Sequence, residues 1–163
     1  MKLNININEE NLSIQTDPEI SLLELLRNQK LLSVKCGCKN HNCGSCAVLL
    51  DDAPVLTCKI PCGILRNARI VTLEHFSKTA VYQEIMKGFE KAGITLCGYC
   101  NSGKIFAAYE VLKRYSNPTR EQVEEIVCDL RECCVENDTL INGMIYAAQI
   151  HFEKERLKKN GKQ

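Results

Sequence analysis

The sequence predicts an α+β protein, in which a small β-grasp domain over residues 1–76 precedes a four-helix bundle over residues 77–163. In the first part, short apolar runs alternate with polar residues, which is typical of half-buried strands. In the second part, apolar residues recur with the roughly 3.6-residue period of amphipathic helices. The 11 cysteines also fall into two groups, one in each part, which suggests one metal centre per domain.

The amino-terminal domain begins with a predicted β-hairpin. Leu3, Ile5 and Ile7 alternate with polar residues, and Leu12 and Ile14 repeat the pattern after a polar turn. Each strand is therefore expected to bury one face against the core of the domain.

A short helix, a cysteine-rich loop, a second hairpin and a last strand complete this domain. Ser21 is placed to cap the helix, with Glu24 as its capping-box partner. The second hairpin is expected to pair residues 47–50 with residues 55–58, and residues 69–73 form the last strand. This order of elements describes a β-grasp domain.

Four amphipathic helices are predicted after residue 76. Gly93 is expected to end the first helix, and Thr119 with Gln122 to cap the third as a capping box. Asp138 is expected to cap the fourth. Helices of this length imply a small bundle. Their core-facing residues are Val81, Ile85 and Phe89; Ile105, Ala108, Tyr109 and Leu112; Val123, Ile126, Val127 and Leu130; and Ile141, Ile145, Ala148 and Phe152.

A cysteine motif occupies the loop after the first helix. It has the C-x₄-C-x₂-C…C spacing of a plant-type [2Fe–2S] site, formed here by Cys38, Cys43, Cys46 and Cys58. Soft thiolates suit the iron–sulfide core. Structural zinc is the alternative, but it usually requires a second C-x₂-C or a histidine pair, and none follows at close spacing. The motif therefore predicts a [2Fe–2S] cluster, with Cys36 and Cys62 as neighbours that do not bind it.

The second cysteine group lies in the connections between helices. Cys97 and Cys100 form a C-x₂-C motif between the first two helices, and Cys133 and Cys134 are adjacent between the last two. In an antiparallel bundle both connections can lie at the same end, so the four thiols can converge. Zinc also fits such a set, whereas a thioredoxin-type redox pair requires a βαβ unit that the sequence does not predict.

Residues 98–104 also match the start of a phosphate-binding loop, G-x₄-G-K. The next residue is Ile105, where such loops have a serine or threonine that holds Mg²⁺, and no parallel sheet is predicted around it. We interpret this match as chance.

Composition and charge exclude several classes of function. The net charge is +1 and no basic patch is interleaved with aromatic residues, so nucleic acid is not an expected partner. No apolar run is long enough to cross a membrane, and no signal peptide is expected. An odd number of cysteines without a secretory signal favours thiolate ligation in a reducing compartment, so we expect a cytoplasmic protein.

His75 and His151 lack convergent partners in the sequence and are expected at the surface or at an interface.

Both cysteine groups, in this order, resemble those of the iron–sulfur small subunit of molybdenum hydroxylases, the xanthine dehydrogenase and aldehyde oxidase family. Residues 21–27 resemble the first helix of that subunit. Residues 33–38 and 43–49 resemble its G-C-x₄-C-G-A-C-T-V signature, and residues 97–103 resemble its C-G-F/Y-C-T-P-G signature. The similarity extends through most of the chain.

The resemblance implies an electron-transfer subunit. Two [2Fe–2S] clusters would relay electrons from a molybdopterin-binding large subunit to an FAD-binding medium subunit, with the amino-terminal cluster facing the flavin. The chain itself would bind no small-molecule substrate and perform no bond chemistry. Two alternatives remain open: a subunit that has kept only the first cluster and serves partly as a scaffold, and a free-standing redox or zinc-binding module.

The chain departs from the family pattern at the second site. The family's C-R-C-T-G-Y is here residues 132–137, which places Glu132 at the first cysteine, Cys133 at the arginine and Cys134 at the second cysteine. A hard carboxylate is a poor ligand for the iron–sulfide core. Adjacent residues can share a cluster only where the backbone is not helical. The expected ligands are Cys97, Cys100, Cys133 and Cys134, and Cys128 in the third helix is expected to be a buried core residue.

Two further departures lie close to the cysteine motifs. His41 stands where the family usually has a glycine, so the turn of the first loop is expected to differ. Leu96 stands where the family has a glutamine that contacts the pterin, so that contact is not expected in this chain.

Overall fold

The computed structural model describes residues 1–160, so the last three residues of the predicted helical domain lie outside the described residues. All the strands and the first helix lie before residue 72, and the other helices follow. The strands are β1 (Lys2–Ile7), β2 (Glu10–Gln15), β3 (Ala47–Leu50), β4 (Ala53–Leu56) and β5 (Arg69–Val71). The helices are α1 (Leu22–Asn28), α2 (Leu73–Phe76), α3 (Ala80–Lys91), α4 (Asn101–Arg114), α5 (Arg120–Val127) and α6 (Asn137–Asn160).

The strands form one mixed sheet with the order β2-β1-β5-β3-β4. The predicted first hairpin is confirmed, because β1 and β2 are antiparallel with Leu3 opposite Ile14. β5 is parallel to β1, with Ile70 opposite Ile7, and antiparallel to β3. The predicted α+β class is therefore confirmed at the level of a mixed sheet with helices.

The sheet is covered by helices on both faces. Val48 and Ile70 belong to a core formed with α1, whereas Ala47, Leu49 and Val71 belong to the core formed with helices α3–α6. This division follows from strand geometry, since successive side chains point to opposite faces. The helical part of the chain therefore packs directly on the sheet.

Close helix contact and capping fix the arrangement of the helical part. Gly88 of α3 lies against α6 so closely that a Cβ there would be 2.5 Å from the Cα of Ala147. α5 begins with the predicted capping box, in which both the Thr119 and Gln122 side chains bond to backbone N–H groups. Gly93 follows α3 with a positive φ of 72°, as expected for a helix stop.

Among residues 1–160, no helix is both long and apolar enough to cross a membrane.

The second hairpin differs from its predicted register. Its turn consists of Asp51 and Asp52 alone, with φ values of 47° and 70°, so β4 begins at Ala53 instead of Val55. A two-residue turn with positive φ matches the right-handed twist of the flanking strands. Cys58 consequently lies in a 3₁₀ turn, Thr57–Lys59, just beyond the strand.

Two other boundaries and the burial of one cysteine also differ from the predictions. The last strand ends at Val71, and Leu73 already begins α2. α6 begins at Asn137, so Asp138 is not its cap; its carboxylate lies inside the first turn and pairs with Arg120 at 2.6 Å. Cys128 is exposed at the carboxyl end of α5, where its Sγ lies 3.1 Å from the Glu125 carbonyl oxygen, and is not a buried core residue.

Candidate metal centres

The thiols of the second cysteine group converge. All four Sγ atoms lie within 4.8 Å of one another, and the residues are Cys97, Cys100, Cys133 and Cys134. The first two lie immediately before α4, and the other two lie in the connection between α5 and α6. The backbone at residues 133–134 is not helical, which allows two adjacent side chains to face the same point.

The other candidate ligands near this group point elsewhere. The Glu132 carboxylate accepts a hydrogen bond of 3.0 Å from the backbone N–H of Asn137, so it binds the first residue of α6. Cys128 contacts the backbone of its own helix. Neither side chain is one of the converging groups.

Backbone N–H groups surround Cys97. Hydrogen bonds from the N–H of Tyr99, from Cys134 and from the N–H of Cys100 lower the pKa of the Cys97 thiol to about 7. Burial raises the pKa of Cys134. N–H groups that stabilise a thiolate in this way also bond to ligand sulfurs of iron–sulfur clusters and influence their potential.

The thiols of the first loop lie in two close pairs. The Sγ atoms of Cys46 and Cys58 are 3.4 Å apart. Cys38 bonds to both the N–H and the thiol of Cys43, and with the N–H of Asn42 these bonds lower the pKa of Cys38 to about 7. Burial and the bond to Cys46 raise the pKa of Cys58 to about 12.

The first loop also offers a free hydroxyl beside its thiols. Ser45 Oγ is buried and has no hydrogen-bond partner among the described residues. A Cβ at Gly37 would lie 2.6 Å from this oxygen and 2.9 Å from Cys43 Sγ, so only glycine fits there. An unpaired hydroxyl and an all-thiolate donor set fit a bound iron–sulfide core, whose sulfides accept hydrogen bonds.

The two candidate centres lie side by side because α4 packs on the first loop. A Cβ at Gly103 would lie 2.8 Å from the Gly44 carbonyl oxygen, so the backbones are in direct contact. Three hydrogen bonds join the same regions: Ser102 Oγ to the Ser45 carbonyl (3.1 Å), Tyr99 OH to the Gly37 carbonyl (3.0 Å) and Lys35 Nζ to the Gly98 carbonyl (2.5 Å).

Sequence reasoning missed one residue of the second centre. Lys104 is buried in the first turn of α4, and its Nζ donates to Cys100 Sγ at 2.9 Å. The only signal in the sequence was the G-x₄-G-K match, which we interpreted as chance. The match is unrelated to phosphate binding here, since the lysine bonds to a thiol.

Comparison with known proteins distinguishes between the two candidate occupants of these sites, a zinc ion and an iron–sulfur cluster. The family model described as "2Fe-2S iron-sulfur cluster binding domain" matches residues 5–63. The model described as "[2Fe-2S] binding domain" matches residues 72–138. The two matches contain the two cysteine groups, so two [2Fe–2S] clusters are the cofactors of this chain.

Similarity to individual proteins shows which family of iron–sulfur proteins the chain belongs to. The chain is 38% identical over 122 residues to the nicotinate dehydrogenase small FeS subunit of Eubacterium barkeri, covering 74% of this chain and 78% of that subunit. The chain belongs to the small [2Fe–2S] subunits of molybdenum hydroxylases. It is also 36% identical over 97 residues to the xanthine dehydrogenase iron-sulfur-binding subunit of Escherichia coli O157:H7, covering 60% of this chain and 61% of that one.

A solved structure agrees with this family assignment. A chain of quinoline 2-oxidoreductase from Pseudomonas putida 86 superposes with a TM-score of 0.80 at 26% identity, covering 91% of this small subunit and 94% of that chain. The match therefore spans both the sheet and the helices.

The structure shows the conformation and surroundings of two residues at which this small subunit departs from the family pattern. His41 has a positive φ of 58°, a conformation that glycine adopts without strain and histidine adopts at some cost. Leu96 is half-buried and packs against the helical core, so its side chain is part of the packing beside Cys97.

Proposed function

We propose that this electron-transfer subunit connects a molybdopterin-binding large subunit to an FAD-binding medium subunit through two [2Fe–2S] clusters. The convergence of four thiols on a helical connection, next to a plant-type cysteine loop, is the observation that carries the proposal. The contact between Gly44 and Gly103 supports it, because it brings the two sites together inside one chain.

We propose that the chain has two domains, a β-grasp ferredoxin-like domain over residues 1–76 and a four-helix bundle over residues 77–163. The separate matches of residues 5–63 and 72–138 support this division. The mixed sheet with α1 on one face and the helical core on the other supports the same division.

We propose two sets of thiolate ligands. The first set is Cys38, Cys43, Cys46 and Cys58, and the second set is Cys97, Cys100, Cys133 and Cys134. A [2Fe–2S] cluster held by four thiolates takes up and releases one electron at a time. The protein holds the thiols in place, supplies N–H groups to Cys38 and Cys97, and keeps water from the buried thiols Cys43, Cys46 and Cys100.

Exposure suggests which side of the chain a partner covers. Cys97, Cys133 and Cys134 are exposed, and Tyr99 beside them is 50% exposed. An aromatic side chain at the rim of an open metal site is typical of a surface that a partner buries. We propose that the molybdopterin-binding subunit covers this surface and that the flavin subunit contacts the first site.

The 11 free thiols support a reducing compartment, so we propose a cytoplasmic location.

Metal analysis of anaerobically purified protein tests the proposal. Two clusters require four irons and four sulfides per chain. Zinc alone would contradict the proposal, and two irons would leave only the scaffold alternative. Co-purification with molybdopterin- and FAD-containing chains tests the proposed partners.

Single substitutions test the second ligand set. Cys134→Ser is expected to abolish one of two paramagnetic signals seen on partial reduction, because a serine hydroxyl is a hard ligand. Cys128→Ser is the matched control and is expected to keep both signals, since that thiol lies outside the converging set. Survival of both signals in Cys134→Ser would contradict the ligand assignment.

A further inference from the structure

Lys104 is buried, and no carboxylate pairs with it among the residues that the structure describes. Only 2% of it is exposed, and among residues 1–160 the bond to Cys100 Sγ is the only one its Nζ makes. Lysine is almost never fully buried unless its charge is compensated. Its position in the first turn of α4 adds to the cost, since the helix dipole disfavours a cation there. The compensating charge must therefore come from the thiols beside it.

The second ligand set can supply that charge. Cys100 Sγ is one of four converging sulfur atoms, and an iron–sulfide core bound by four thiolates is an anion. Cys134 Sγ lies within 4.8 Å of Cys100 Sγ, so the ammonium group beside Cys100 is close to ligands from both connections.

We propose that Lys104 raises the reduction potential of the second [2Fe–2S] site by holding a buried positive charge against Cys100. Reduction adds one electron, and so one negative charge, to that site while no bond is made or broken. A nearby cation in a medium of low dielectric constant stabilises the more negative form to a greater extent. The inference rests on the proposed function, in which the molybdopterin subunit supplies the electron; dithionite supplies it in the test below.

Three variants of the full-length, cluster-loaded protein test this inference. Lys104→Met removes the charge and keeps an unbranched side chain, and Lys104→Gln removes the charge but keeps a hydrogen-bond donor. Lys113→Met is the matched control, because Lys113 is an exposed lysine of the same helix, paired with Asp52. The midpoint potentials of both sites are measured by titration with dithionite, followed by the two paramagnetic signals.

Both Lys104 variants are expected to shift the equilibrium of the second site at least tenfold towards the oxidised form. For a one-electron couple that is about 59 mV. The first site is expected to change less, and Lys113→Met is expected to leave both potentials unchanged. The shift is expected to persist at high salt, because buried charges are screened much less than exposed ones.

Four results would overturn the inference. The first is an unchanged potential of the second site in either Lys104 variant, and the second is a shift that salt abolishes. The third is an equal shift in Lys113→Met, which would indicate a general surface field. The fourth is loss of the second signal in both Lys104 variants, because the lysine would then be needed to build the site. Absence of a second signal in the unsubstituted protein would instead contradict the proposed function.

Discussion

At the scale of single residues, a buried carboxylate joins α3 to α6. Glu84 is only 6% exposed, and its two oxygens bond to His151 Nδ1 and Lys154 Nζ, each at 2.6 Å. Burial opposes ionisation of Glu84, but the bonds from these two partners outweigh it, so the pKa of Glu84 lies below its ordinary value. His151 therefore has a partner that the sequence did not indicate.

We expect Glu84→Gln to lower the free energy of unfolding by roughly 2 kcal/mol at neutral pH, because it removes charged hydrogen bonds from a buried position. Since the folded protein depresses this pKa, the stabilisation is complete above about pH 4.3, the ordinary value for glutamate, and is lost as the pH falls through the folded value. The difference between the unsubstituted protein and the variant should shrink in acid. Denaturant unfolding at several pH values measures it.

The control for this prediction is Glu110→Gln. Glu110 pairs with Arg114 one turn later on the surface of α4, where such pairs contribute about 0.5 kcal/mol or less. Equal losses in the two variants, or a difference for Glu84→Gln that does not depend on pH, would show that the buried carboxylate is not a charged anchor.

At the scale of elements, α4 contacts the second thiol group, the first cysteine loop and the β3–β4 turn. Its first turn carries Lys104 and contacts the first cysteine loop through Gly103. Further along, Tyr109 OH donates to Asp52 in the β3–β4 turn at 2.7 Å, and Lys113 pairs with the same carboxylate. The bond from Lys113 lowers the pKa of Asp52, while burial and Asp52 raise the pKa of Tyr109 to about 12. α4 is thus fixed to the first cysteine loop at its start and to the β3–β4 turn near its end.

Gly103→Ala is expected to destabilise the protein by about 1–3 kcal/mol, because the new methyl group meets backbone atoms that cannot move aside. It should also push α4 away from the first loop, which weakens the magnetic interaction between the two paramagnetic sites. Thermal unfolding and the broadening of the paramagnetic signals measure the two effects. Arg114→Ala, at an exposed position of α4, is the control. Unchanged signals and stability in Gly103→Ala would refute the backbone contact.

At the scale of the whole molecule, the two cores share one sheet. Ala47 and Leu49 of β3 face the helical core, and Val48 between them faces the core around α1. Unfolding either core removes packing from the same strand. In the proposed ligand assignment, the second set also joins the start of α4 to the connection between α5 and α6, so cluster binding would hold the helical core together.

Removal of both clusters is therefore expected to lower the midpoint temperature of unfolding, since a group that binds only the folded state stabilises it. Circular dichroism of loaded and metal-free protein, both kept reduced under anaerobic conditions, measures the shift. Reloading iron and sulfide should restore the original midpoint. A midpoint that is the same with and without clusters would contradict ligation by the folded chain.

The sequence alone was sufficient for features determined by local spacing. Strand alternation in β1 and β2, the capping box at Thr119 and the helix stop at Gly93 depend on neighbours within a few residues, and all three are present. The first cysteine loop is largely local as well. The turn of the second hairpin was misjudged because Asp51 and Asp52 both adopt positive φ, which is uncommon for residues other than glycine.

The convergence of the second group of thiols, which the sequence could only suggest, depends on the tertiary structure. Cys97 and Cys134 meet because two helix connections lie at the same end of the helical part, and the adjacent Cys133 can join them because the backbone there is not helical. The burial of Lys104 and the pairing of Glu84 with His151 likewise depend on distant elements packing together. No short-range pattern records such contacts, because the energy that fixes them comes from burial between elements and not from the residues that flank each position.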